Sequence, residues 1–199
     1  FQPRYPGVFM YHCGTAPVLM HIGAGMYGAI VVSPAEPLPP AREFVLVQSE
    51  FYLTDGPGGI STCDYRKMAT TRPDHVVFNG RHDQYVAEPI RVKRGDRVRF
   101  YVVSAGPTHP CNFHVVGEVF DTVYPGAPPT GALRGVQTCS VPPGGGMIFD
   151  LVADVAGDKA TIYSATQAVH PHRHTAAMVL GLRPENVRVV YRLGSGCYG

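Results

Sequence analysis

The chain is poor in charge. Charged residues fill 16% of its 199 positions and the formal net charge is +2, with no basic cluster. A nucleic-acid partner would require a basic patch or stripe, so none is expected. Long apolar runs are also missing. None approaches the roughly 20 residues that cross a bilayer, which argues against a membrane span. No targeting or secretory leader is visible, and because Phe1 opens almost directly into a motif-like stretch, further sequence is expected upstream. Among the five cysteines no two form a C-x-x-C pair, so a zinc ribbon is not expected. Low-complexity segments are absent.

What is present points to β structure. Apolar residues make up 45% of the chain, enough to bury a core, and 23 glycines and 19 prolines punctuate short runs rich in valine, phenylalanine and tyrosine. "VFMYHC" (8–13) and "AIVVS" (29–33) read as two strands joined by a glycine-rich loop. A hairpin of that size cannot hold a core alone. "PAEPLPPAREF" (34–44) reads as an extended linker, since its prolines lack the backbone donor. A second unit then begins at "FVLVQSEFYL" (44–53). It contains a short helix in "DYRKMATTRP" (64–73), a strand into a turn in "HVVFNG" (75–80), and two strands about the Gly95-Asp96 turn in 88–106. In the second of these, Val98, Phe100 and Val102 alternate with Arg97, Arg99 and Tyr101, which predicts arginines facing water until Val103 breaks the pattern. More strands are expected in 112–124, 135–155, 160–165 and 176–182, and "VRVVYRL" is strand-like in the tail. Seven or eight strands at this spacing suggest a Greek-key sandwich or barrel, and one antiparallel β-sandwich is expected over about 44–183, with residues 1–33 paired in a different sheet.

The stretch "GVFMYHCGTAPVLMHIGAGMYG" (7–28) carries the chemistry. Thiolate, imidazole and thioether together favour a soft, redox-active metal, and His₂Cys with a long axial Met is the blue-copper arrangement. Cys13 ends a strand, and His21 and Met26 follow in the loop as C-x7-H-x4-M. A loop held between two strands can bend all three side chains onto one ion. A chance cluster of Cys, His and Met in a hairpin is the alternative that spacing alone leaves open.

The motifs in order carry more weight than any one of them. "PGVFMYHCGTAPVLMHIGAGMYGAIVVSP" resembles the end of the first cupredoxin domain of copper-containing nitrite reductases. "FVLVQSEFYL", "DYRKMATTRPDHVVFNG", "FHVVGEVFDTVY" and "VQTCSVPPGGG" resemble their second domain. The resemblance covers residues 1–155 and fades afterwards. It implies an all-β, cupredoxin-like Greek-key β-sandwich. Residues 1–35 would be the C-terminal hairpin of a truncated first domain, 36–183 a second cupredoxin domain, and 184–199 a tail. It further implies Cys13, His21 and Met26 as type 1 copper ligands, His12 as a type 2 copper ligand, and His114 in "NFHVVG" as the histidine that helps protonate nitrite. Without the resemblance, His12 reads as a solvent-facing strand end and His114 as a core histidine. The reaction implied is one-electron reduction of nitrite to nitric oxide. The electron would come from a small cupredoxin or cytochrome c, in a homotrimer or with a partner chain completing the first domain. A periplasmic or other extracytoplasmic location is implied for a bacterial protein, a mitochondrial one for a eukaryotic protein.

Two departures stand against the pattern. By the resemblance, the earlier half of the first domain would lie upstream of Phe1, and with it one type 1 histidine, one type 2 histidine and the aspartate that works beside His114. The second domain should also give a type 2 histidine in a V-x-H context, but Ser164, Ala165 or Gln167 takes its place in "ATIYSATQAV" (160–169). His170, His172 and His174 follow, and their alternation would line one face of a strand, although Pro171 disfavours one. The type 2 copper is therefore in doubt. A degenerate non-catalytic cupredoxin-like subunit and a type 1 electron-transfer protein stay open as alternatives.

Overall fold

The computed structural model describes residues 2–154, 160–164, 169–180 and 182–191. The chain opens with β1 (Gly7–His12), α1 (Val18–Gly23) and β2 (Tyr27–Val32), then β3 (Arg42–Phe51), β4 (Leu53–Asp55) and β5 (Ser61–Cys63). There follow α2 (Tyr65–Ala69), β6 (His75–Phe78), α3 (Gln84–Ala87), β7 (Arg97–Gly106), β8 (Cys111–His114), β9 (Phe120–Tyr124) and β10 (Leu133–Val136). β11 (Thr138–Val141), β12 (Gly146–Val152), β13 (Ala160–Ser164), α4 (Val169–Leu180) and β14 (Val187–Tyr191) complete the order. Two compact units emerge. One comprises residues up to Val115 together with Val119–Ala153, and the other Val116–Glu118 with the segment from Asp154 onward.

The first unit is built on a six-stranded sheet in the order β10-β9-β12-β7-β3-β6. One face of its central strand β7 presents Val98, Phe100 and Val102 to a core shared with Cys111 and Phe113 of β8, Val141 of β11, and Phe120 and Phe149. The rings of Phe113 and Phe149 meet edge to face at 5.0 Å. The other face presents Tyr101, Val103 and Ala105 to Val8 and the partly buried Met10, Tyr27 and Ala29 of the β1–β2 hairpin. The hairpin is therefore a lid on the sheet. The register Val8↔Val31, Met10↔Ala29, His12↔Tyr27 sets Val8, Met10, Ala29 and Tyr27 against the sheet, with His12 and Val31 exposed at the ends of that face, and leaves Phe9, Tyr11 and Ile30 exposed on the other. Gly146 permits this close approach, because a Cβ there would stand 2.3 Å from the Val8 carbonyl oxygen.

Covering both faces changes the expected role of β7. Arg99 is buried, not water-facing. Its Nε and Nη2 donate to the two carboxylate oxygens of Asp150 at 2.7 and 2.8 Å, and its other bonds reach Glu43 and the Pro39 carbonyl. Burial disfavours the charged guanidinium, but the bonds to Asp150 outweigh it and hold Arg99 above its ordinary value. The proline-rich stretch thus runs pinned along the sheet, with Leu38 against the same core as Val8.

The sheet is mixed where an antiparallel one was expected. β3 and β7 run parallel over Arg42↔Val98 to Ser49↔Gly106, with an irregularity at Gln48/Ser49. The long connection between them, carrying β4 to α3, makes the required crossover. Residues 88–94 form no strand. The short helix is present as α2, with the Asp64 carboxylate accepting from the amides of Arg66 and Lys67.

In the second unit, β13 and β14 pair in parallel and α4 packs on β14. The strand expected over 176–182 is instead helical through Leu180. Ala176, Ala177, Met178 and Leu180 are strong helix formers, and Pro171 falls in the first turn, where its missing N–H removes no helical bond.

Candidate metal centre

The loop between β1 and β2 is stitched by its own backbone. The Cys13 amide donates to the Met26 carbonyl at 3.1 Å, and the Met26 amide donates to the His21 carbonyl at 3.0 Å. α1 supplies His21 from its last turn. It sits tightly at Gly23, where a Cβ would stand 2.8 Å from both Cys63 Sγ and Met68 Cε, so the helix leans on β5 and α2. Gly25, at φ +94°, lets the chain turn back into β2.

These constraints bring two side chains together. Cys13 Sγ lies 3.0 Å from His21 Nδ1, both half-buried. The hydrogen bond to His21, helped by two from Thr15, pulls the Cys13 thiol down to about 7 against a small opposing effect of burial. A thiolate is thereby available at neutral pH, and the thiolate is the metal-binding form. Met26 is joined to both residues through its backbone, and its side chain is 53% exposed. Tyr27, next in the chain, is tied to β3 by a hydrogen bond from its hydroxyl to that of Ser49. Neither Thr15 nor the Tyr27–Ser49 tether was legible in the sequence. The signal available was polar and aromatic residues immediately beside Cys13 and Met26.

His12 is exposed and its Nδ1 lies 2.9 Å from the Cys13 carbonyl oxygen. A carbonyl only accepts, so Nδ1 carries the proton and a neutral ring keeps its lone pair on Nε2. The same logic holds for His114 on β8, whose Nδ1 donates to the Gln137 carbonyl at 2.7 Å. His114 is exposed, not a core residue, and shares no hydrogen bond with His12, Cys13 or His21.

Among the described residues no three His, Cys, Asp or Glu side chains gather closely enough to hold a metal. Ala165 and Gln167 lie outside the described residues; Ser164 ends β13. His170, His172 and His174 fall on α4, so strand alternation does not apply: residues two apart on a helix are separated by about 200° around its axis. Cys63, Cys111 and Cys139 carry free thiols, and burial pushes Cys111 up to about 11. The donors at Cys13 and His21, a low-lying thiol beside an imidazole, fit a soft, thiophilic metal such as copper.

A six-stranded sheet covered on both faces, with a Cys-His pair in the loop of the covering hairpin, is the arrangement expected of a cupredoxin-like protein, and the relatives and solved structures that match share that fold. No protein-family profile matches the chain. A copper-containing nitrite reductase of Neisseria gonorrhoeae is 40% identical over 163 residues, covering 79% of this chain and 41% of that protein. The solved copper nitrite reductase of Nitrosomonas europaea superposes with a TM-score of 0.64 at 36% identity, covering 74% of this chain and 53% of that one. The enzyme of Thermus scotoductus gives 0.66 at 32% identity, covering 75% of this chain and 35% of that one. The chain belongs to the copper-containing nitrite reductase family. It spans less than half the length of the Neisseria relative.

Proposed function

We propose that the chain is the type 1 copper-bearing part of a nitrite-reducing protein. The observation that carries this reading is the 3.0 Å contact of Cys13 Sγ with His21 Nδ1 in a loop closed by Met26. Copper, when bound, supplies one-electron redox chemistry. The protein's part is to hold the ligands. Cys13 gives up its proton readily beside His21, and the Tyr27–Ser49 tether and the Gly23 contact fasten the loop to β3, β5 and α2. Rigid ligands limit reorganisation on electron transfer.

His12 and Cys13 are adjacent, so a second copper held at His12 Nε2 would be joined to the first by a short covalent path. Nitrite takes one electron and two protons to give nitric oxide and water. His114, with Nδ1–H fixed on Gln137, has Nε2 free to relay protons. The outward face of the hairpin, with Phe9 44%, Tyr11 54% and Ile30 39% exposed, suits the remaining strands of a first cupredoxin domain, on the same polypeptide or a partner. A homotrimer, a small cupredoxin or cytochrome c donor, and a periplasmic or mitochondrial location belong to the same reading. No helix among the described residues is long and apolar enough to cross a membrane.

A second reading is favoured by one observation: no histidine stands at Ser164, Ala165 or Gln167. On that reading only type 1 copper is kept, and the chain transfers electrons or serves as a non-catalytic subunit. Nitrite turnover and copper content, measured together on the purified chain, separate the two. The expected result is weak or absent turnover by this chain alone, gained with a partner that completes the first domain. Rapid turnover with two coppers per chain would show that a histidine of 170–174 is a ligand. Failure to gain turnover with any partner would favour the second reading.

A further inference from the structure

We propose that His75 and His82 form a separate metal site, two imidazoles for one borderline divalent cation such as Zn(II) or Cu(II), at the edge of the six-stranded sheet. His75 opens β6, the edge strand. After Phe78 the chain reverses through Asn79 and Gly80, at φ 53° and 81°, and Arg81 bridges back to Phe78 in antiparallel fashion. Continuing that register sets His82 beside Val77, diagonal to His75 and on the same face, within reach of ring-sized side chains.

The rings have met: their centroids are 5.4 Å apart with planes at 66°. Two imidazoles bound to one ion at about 2.0–2.1 Å per nitrogen have centroids roughly 4.5–5.5 Å apart, for angles between square and trigonal. The observed separation lies inside that interval, so the two rings already stand at a spacing that one shared ion requires, and turning them about their side-chain bonds would aim a nitrogen of each at it. Both residues are exposed, so water can complete the coordination shell and no buried charge is created. The donor set is nitrogen only, which suits zinc, copper and nickel. A carboxylate adjoins each histidine in sequence, Asp74 before His75 and Asp83 after His82. Asp74 adjoins His75, though both its oxygens serve Lys67 Nζ and one also the Leu53 amide. Asp83 adjoins His82 at the N-cap of α3 and makes no side-chain capping bond there. None of the residues of the hairpin centre takes part, so this site stands independently of the function proposed above.

The test is a Zn(II) titration of the full chain in the Cys13→Ser background, which removes the low-lying hairpin thiol, followed by imidazole nitrogen NMR that reads His75 and His82 individually. The expected result is that the His75 and His82 resonances shift together and saturate at one zinc per chain. His75→Gln and His82→Gln should each weaken that binding at least tenfold, while His109→Gln leaves it unchanged. Zinc that leaves both resonances in place, or affinity that survives His82→Gln, overturns the proposal. Both substitutions are at exposed positions, and a circular dichroism spectrum of each variant confirms that the fold tested is the native one.

Discussion

Replacing Arg99 by methionine should cost the first unit about 3–5 kcal/mol, because it leaves Asp150 buried without its counter-charge. The magnitude follows from burial on both sides of the pair. Arg99 and Asp150 side chains are each 3% exposed and bonded in bidentate fashion. Glu43, the other carboxylate on Arg99, is 49% exposed and regains water, so its share is under about 1 kcal/mol. The lost donor to the Pro39 carbonyl adds about 1 kcal/mol more at most. For a unit of this size the melting temperature should fall by roughly 6–20 °C. Urea unfolding followed by circular dichroism measures the change. The double variant Arg99→Met/Asp150→Leu carries the sharper expectation: with both charges gone, most of the loss should be recovered. If the single variant loses less than about 1 kcal/mol, the pair is not desolvated as described. If the double variant is as unstable as the single one, the orphaned carboxylate is not the cause.

Gly146→Ala should lift the hairpin from the sheet, since the obstructing atom is backbone, the Val8 carbonyl oxygen at 2.3 Å. A loss of about 2 kcal/mol or more is expected, with faster amide exchange in β1 and β2; wild-type stability and exchange would contradict the packing. Glu50 gives a pH-dependent expectation. Burial pushes its carboxyl up, but bonds from the Thr108 and Tyr52 hydroxyls and from the amides of His109 and Thr108 outweigh it, leaving it below the ordinary glutamate value. A depressed carboxyl stabilises the fold above its unfolded value and loses that contribution as pH falls through the folded one. The stability gap between wild type and Glu50→Gln should therefore be constant above about pH 5 and narrow below it, and a gap that widens on acidification would refute this assignment.

Much of the fold was legible because local pattern and tertiary packing agree. The short helix in 64–73, the turn after "HVVFNG" and the Cys13–His21 spacing each act over a few residues. The errors share a cause: partners distant in sequence. Arg99 read as water-facing because alternation implies one wet face, whereas Asp150, Glu43 and the proline-rich stretch at Pro39 enclose it and the hairpin covers Tyr101 and Val103 further along that face. The break at Val103 was the trace of that cover. The parallel β3–β7 pair depends on a crossover that no local pattern encodes. Residues 176–182 are short and apolar, a length at which strand and helix look alike, and the helix is decided by the alanines and by packing on β14. At the site, the Cys13–His21 pair was readable from residue types, but Thr15 and the Ser49 tether were not, since nothing in sequence marks a hydroxyl as a neighbour across strands.

The central claim is that Cys13 and His21 hold copper together. Titrating the chain with Cu(II) and recording visible absorption tests it most directly. A thiolate-to-copper charge-transfer band should grow to saturation at one equivalent, weaken sharply in His21→Ala and vanish in Cys13→Ser. A chain that binds copper without such a band, or a band that persists in Cys13→Ser, would contradict the account.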